Sequence, residues 1–192
     1  MARLLPGLDS RWLAIGRSLV AALLLAVYWP RYAELRAAPV RGSDVALAIG
    51  LGLAAFGAWI AFDRGWALTG GAGVGFVPLR ADGSLDPVLV LLRLAGLALV
   101  VPVMEELFWR SFVLRWIANR DFLCVDPRHA GALAFALSSA LFASEHSLWF
   151  AGLLAGLAYG ACYMRSGNLW IPILSHAITN ATLGLWILAK AQ

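Results

Sequence analysis

An all-α, polytopic membrane helix bundle is the fold this sequence predicts, on three observations. Of the 192 residues, 61% are hydrophobic and only 14% charged, and the mean hydropathy is +0.79; soluble domains carry about 25% charged residues. The apolar residues run continuously over stretches that approach the roughly 20 residues a spanning helix needs. They do not alternate with polar ones in segments of about ten, as barrel strands do. Polar turns bearing arginine separate the runs. A single membrane-embedded domain over 1–192 accounts for the whole chain.

In chain order, residues 1–10 form a short polar lead. Arg11 to Trp29 is the first span, with Arg17 near its start able to snorkel toward the head groups. No small-residue cleavage site follows it, so it reads as an anchored helix and not as a signal peptide. Pro30 to Ser43 is a polar loop. Asp44 to Phe62 is the second span, and Gly50, Gly52 and Gly57 suit close helix contact. Asp63 to Pro87 is a loop, glycine-rich at Gly70, Gly71, Gly73 and Gly75, with Trp66 and Phe76 as interfacial anchors. Its glycines fit neither a phosphate loop nor a dinucleotide fingerprint.

Val88 to Ala118 is too long for one straight span, and Pro102 predicts a kink or a break within it. Asn119 to His129 is a polar turn. Ala130 to Ala143 is the fourth span. Leu148 to Met164 is the fifth, with Gly152, Gly156 and Gly160 as a small-residue stripe. After a turn at 165–168, Leu169 to Ala189 is the sixth. Six spans leave both termini on one side. Arg31, Arg36, Arg41, Arg120, Arg128 and Arg165 fall opposite Arg3, Arg11, Arg64, Arg80 and Lys190, and their slight excess assigns that side to the cytoplasm. A bacterial inner membrane is the expected location.

The net charge of +4 comes from scattered arginines with one lysine, Lys190. It suits loops near anionic lipid and offers no basic, aromatic-interleaved patch for nucleic acid. Cys124 and Cys162 have no metal or redox spacing and read as small packing residues.

Three polar motifs interrupt the apolar helices. The first is Glu105-Glu106 with Arg110, the second Phe142 with His146, the third His176 with Asn180. Ionisable groups at such depth are expensive and default to a functional hypothesis. Glu106 and Arg110, four apart, share a helix face; Glu105 points about 100° away. His176 and Asn180 also lie one turn apart on one face. Taken singly, each motif has a plainer reading: a structural ion pair, an interfacial turn histidine, inter-helix hydrogen-bond glue. Together they can share one hydrated internal cavity. Glu105 is then the base that activates water, His146 holds that water and serves the leaving amine, and His176 with Asn180 faces the oxyanion. Glu106, Arg110 and Phe142 are supporting residues. One difficulty is depth. Antiparallel threading puts His146 at the far end of its helix and His176 near the start of its own.

The three motifs in this order resemble those of the CPBP family of intramembrane proteases, which includes the CAAX prenyl endopeptidases of the Rce1 type and bacterial homologues tied to bacteriocin processing or immunity. The similarity covers residues 88–190, a catalytic four-helix core. It implies an all-helical membrane fold and metal-independent, glutamate-type peptide hydrolysis of a peptide or protein substrate at the membrane. The implied roles are Glu105 and His146 on water, His176 and Asn180 at the oxyanion, and Glu106 and Arg110 in support. The stretch Val101 to Arg110 also resembles a small bacterial subgroup associated with exosortase and C-terminal sorting-signal systems. No cofactor is expected. The chemical rival is zinc held by Glu105, His146 and His176, although no His-Glu-x-x-His signature is present. The rival from another class is a non-catalytic membrane protein that uses the same pocket to bind a peptide or lipid, as an immunity protein does.

Overall fold

The computed structural model describes residues 10–36, 39–69, 78–80 and 82–190. Six helices carry the fold: α1 Ser10–Tyr28, α2 Gly42–Ala61, α3 Pro87–Ala118, α4 Ala132–Ser144, α5 Trp149–Ser166 and α6 Trp170–Lys190. Among the described residues there is no strand, only an isolated antiparallel bridge between Leu79 and Leu85. The lead at 1–9 with Arg3, and the loop stretch with Gly70, Gly71, Gly73, Gly75 and Phe76, lie outside the described residues.

Six spans of equal standing are not what forms. Four helices, α1, α2, α3 and α6, are long and apolar enough to cross a membrane. Helix α4 has 13 residues, about 20 Å at 1.5 Å per residue, short of a 30 Å hydrocarbon core. Helix α5 is the innermost element, packed against α2, α4 and α6, so it needs less outward-facing apolar surface. Helix α1 is peripheral, with Ile15 its buried apolar residue.

Small residues set the spacing around α5. A Cβ on Gly152 would meet the His146 Cβ at 3.1 Å, one on Gly156 the Ser139 carbonyl oxygen at 3.0 Å, and one on Gly160 the Phe135 ring at 2.7 Å. The stripe therefore seats α4 on α5, as the four-residue recurrence predicts. On α2 only Gly52 works this way; Gly50 and Gly57 face open space. A Cβ at Gly52 would sit 2.5 Å from the Ser175 carbonyl oxygen, which is backbone and cannot swing aside. Thr179 Oγ1 also donates to the Gly52 carbonyl at 2.8 Å. Gly52→Ala is expected to push α2 off α6 and cost about 1–3 kcal/mol, read as a lower melting temperature in detergent. Gly57→Ala serves as the neutral control.

Helix α3 starts at Asp86, whose carboxylate accepts from the Val88 and Leu89 amides ahead of Pro87 at the first position, a proline-assisted N-cap. The expected break at Pro102 does not occur. The helix runs on to Ala118 and takes up the irregularity as two π-helical stretches, Gly96–Val100 and Leu107–Leu114, on either side of Val101–Glu106. Such wide turns recur at functional sites. The first follows from the proline. Val101 donates to the Gly96 carbonyl five residues back; the next donor in that register is Pro102, which has no N–H. The Leu97 carbonyl is thereby left for another partner.

At the end of α3 opposite Asp86, a charged strap ties the α1–α2 loop down. Glu34 Oε1 accepts from Arg115 Nη2 at 2.6 Å and from Ser111 Oγ at 2.7 Å, and Trp170 Nε1 donates to the Leu35 carbonyl at 3.0 Å. Burial pushes the Glu34 carboxyl up, but its backbone, Ser111 and Arg115 hydrogen bonds outweigh that and hold it below its ordinary 4.5. A carboxylate with a lowered folded pKa stabilises at pH above its unfolded value and loses that contribution as pH falls through the folded value. Thermal stability of the wild type is expected to drop on acidification below about 4.5, with a shallower drop for Glu34→Gln, measured by melting temperature against pH.

Of the two cysteines, Cys162 is buried as expected. Cys124 is not a packing residue: it is exposed in the α3–α4 connection, where its thiol meets Asp121 at 3.2 Å. His129 lies exposed in the same connection, 3.6 Å from Asp126.

Candidate active site

The three motifs converge. An internal cavity of about 200 Å³ is lined by Glu105 from α3, His146 from the turn after α4, and His176 and Asn180 from α6, with Trp59, Val101, Phe142, Ala155 and Tyr159 among its walls. Each acidic residue takes a separate direction. Glu106 is wholly buried and has a charged or polar partner at each oxygen: Oε2 forms an ion pair with Arg110 Nε at 3.1 Å but no hydrogen bond, and Oε1 lies 2.9 Å from His176 Nδ1. Glu105 faces the cavity, and its buried Oε2 has no hydrogen-bond partner. One carboxylate is committed and the other is available, as the 100° offset between adjacent helical residues predicts.

Arg110 is 1% exposed. Besides Glu106 it donates through Nη2 to the Gly156 carbonyl at 3.2 Å. Its guanidinium carbon lies 4.5 Å from the Phe142 ring centre and 5.5 Å from that of Tyr159. Cation–π contact of this kind gains strength away from water. Phe142 therefore does more than fill the core.

The depth difficulty resolves at Phe142. Helix α4 stops at Ser144, and the ring of His146, just past the end, folds back beneath it. His146 Nδ1 lies 2.8 Å from the Phe142 carbonyl, and its ring centre is 4.6 Å from the Phe142 ring, which reaches His176 at 6.2 Å. A carbonyl only accepts, so Nδ1 of His146 carries the hydrogen and Nε2 is the free lone pair in the neutral ring. For His176 the partner of Nδ1 is a carboxylate already paired with an arginine, so Nδ1 again carries the hydrogen. Nε2 of His176 then donates only when the ring is an imidazolium.

Asn180 is anchored by the irregular helix. Its Nδ2 donates at 2.9 Å to the Leu97 carbonyl, the group that Pro102 leaves without a donor in the π register. The second hydrogen on Nδ2 remains for a ligand. Pro102 thus serves the site from one turn away by freeing a carbonyl.

A second cavity, of about 390 Å³, opens beyond the first. It shares Trp59 and His146 with it and is lined further by Asp63, Leu68, Glu145, Ser147 and Leu148. Trp59 stands edge-on to His146 at 5.4 Å between the two spaces. Glu145, the extra carboxylate beside His146, belongs to this outer, polar mouth and is exposed there. Ser138, Ser139 and Ser144 donate to carbonyls of their own helix, so none is set up as a nucleophile. Among the described residues no three His, Cys, Asp or Glu side chains are arranged to hold a metal ion.

Sequence reasoning missed Tyr159 and Trp59. Tyr159 carried a signal, since it lies three residues after Gly156 on the face that the glycine stripe buries. Trp59 carried none, because an apolar helix of this composition has no reason to distinguish one tryptophan.

Comparison with known proteins agrees with the geometry. The family described as Type II CAAX prenyl endopeptidase Rce1-like matches residues 87–182, half of the chain, from the first residue of α3 to beyond Asn180. No curated protein and no solved structure shows a significant match. The matched segment contains all three motifs and every charged or amide group of the inner cavity, within an all-helical bundle whose long apolar helices make it an integral membrane protein. By its sequence, this chain belongs to the Rce1-like family of type II CAAX prenyl endopeptidases.

Proposed function

We propose that the protein is an intramembrane endopeptidase that hydrolyses a peptide bond with a water activated by Glu105 and His146. The observation that carries this reading is one cavity lined by Glu105, His146, His176 and Asn180 from separate segments. Water enters through the outer mouth past Trp59. Glu105 accepts a proton as the water oxygen attacks the carbonyl carbon, and His146 Nε2 accepts the water's other hydrogen bond. Negative charge then moves to the substrate carbonyl oxygen. His176 Nε2, as imidazolium, and the free hydrogen of Asn180 Nδ2 donate to it. When the C–N bond breaks, the proton held by Glu105 returns to the departing nitrogen with His146 assisting. The second proton of the water, held at His146 Nε2, follows to the nitrogen, so the products are a carboxylate and an ammonium group, and the free enzyme is restored.

Glu106 fixes the ring of His176 and balances Arg110, so it takes part through position and charge. No metal is required in this scheme. The free Oε2 of Glu105 supports it, because a carboxylate engaged elsewhere cannot take the proton.

The test uses purified protein in liposomes with membrane-anchored peptides, with products identified by mass spectrometry. Turnover should survive dialysis against a strong chelator and should not rise on adding zinc. Loss of turnover on chelation and its return with zinc would favour the metal reading. Binding of peptide with no cleaved product under any condition would favour the non-catalytic pocket.

A further inference from the structure

We propose that Tyr159 is a positioning residue for His176, setting the plane in which its Nε2 meets the substrate oxygen. The inference rests on the hydrolytic reading given above. Tyr159 is 1% exposed and lies in the wall of the inner cavity. Its ring lies parallel to that of His176, with centres 4.7 Å apart and planes 14° apart. A stack this flat covers one face of the imidazole. The Phe142 ring stands edge-on at 85° on another side, and Glu106 holds Nδ1 in the ring plane. Rotation about the bond from Cβ to the ring is therefore opposed twice, by a hydrogen bond and by a slab. The single free edge carries Nε2.

The ionisable groups facing His176 are Glu105, Glu106 and Arg110 from α3, His146 from the turn after α4, and Tyr159 from α5; α2 presents Trp59 to the cavity. Tyr159 also shares the guanidinium face of Arg110 with Phe142, so one ring touches both groups that Glu106 binds.

The experiment compares Tyr159→Phe with Tyr159→Leu in liposomes, at equal folded fraction. Phe keeps the stack and lacks the hydroxyl; Leu keeps apolar bulk and removes the ring. Expected are a kcat within about threefold of wild type for Phe and a fall of about thirtyfold or more for Leu, with KM within twofold for both. A readout independent of turnover is the ring ¹⁵N spectrum of His176. Leu should broaden or shift its Nδ1 and Nε2 signals, while Phe leaves them near the wild type. Equal losses for Phe and Leu, or a Leu variant whose kcat and His176 signals match wild type, would overturn the assignment. If wild type and every variant lack turnover, the hydrolytic reading fails, and the ¹⁵N comparison still decides whether Tyr159 orients His176.

Discussion

Glu105→Gln is expected to abolish peptide cleavage while leaving the fold intact. The substitution keeps the size and shape of the side chain and removes its basicity. A general base contributes about 10²–10⁴-fold, and the same carboxylate also returns the proton to the leaving nitrogen, so the loss should fall at the upper end. The folded state should hardly notice. Glu105 Oε2 has no partner to lose, and an amide is easier to bury than a carboxylate. Melting temperature and helical content of Glu105→Gln should therefore equal or exceed those of the wild type. Few active-site substitutions separate chemistry from folding so cleanly, and the geometry of one bound and one free carboxylate is the reason.

Arg110→Met is expected to be the most damaging change to the structure. It leaves the wholly buried Glu106 with His176 as its remaining partner, and breaking a buried pair on one side costs about 3–5 kcal/mol. The Gly156 carbonyl loses its Nη2 donor as well, and the space between Phe142 and Tyr159 opens. Activity should fall with folded yield, and rescue is available. Replacing both charges at once, Glu106→Leu with Arg110→Met, removes the unpaired group and should recover much of the stability. It should not recover turnover, because leucine leaves His176 Nδ1 with no acceptor where Glu106 Oε1 stood. Melting temperature and kcat for the three variants make the comparison, and a double variant that regains both would place Glu106 outside the mechanism.

The polar residues of the site were legible from sequence because lipid makes them conspicuous. A carboxylate pair with an arginine, two histidines and an asparagine inside apolar runs each demand a partner, and the partners available were one another. What was not legible depended on backbone geometry. Pro102 signalled a break, yet the α3 backbone widened into π turns and handed the Leu97 carbonyl to Asn180. His176 and Glu106 are 70 residues apart in the chain, and no local pattern joins them; the arginine looked like a sufficient partner for that carboxylate. Helix α4 was taken for a span because its composition is apolar. It ends after 13 residues, at Ser144, with Leu133, Leu137 and Leu141 exposed along its outer face. Only that shortness and the folded-back ring bring His146 to the depth of His176.

The division of labour between adjacent glutamates is tested most directly by turnover per folded molecule of Glu105→Gln beside Glu106→Gln, assayed in the same liposomes with the same peptide. Glu105→Gln should show no turnover above background at wild-type melting temperature. Glu106→Gln should melt at lower temperature, because Arg110 loses its countercharge, and should keep measurable cleavage in the fraction that folds. Cleavage by Glu105→Gln at the wild-type rate would contradict the assignment, whatever the behaviour of its neighbour.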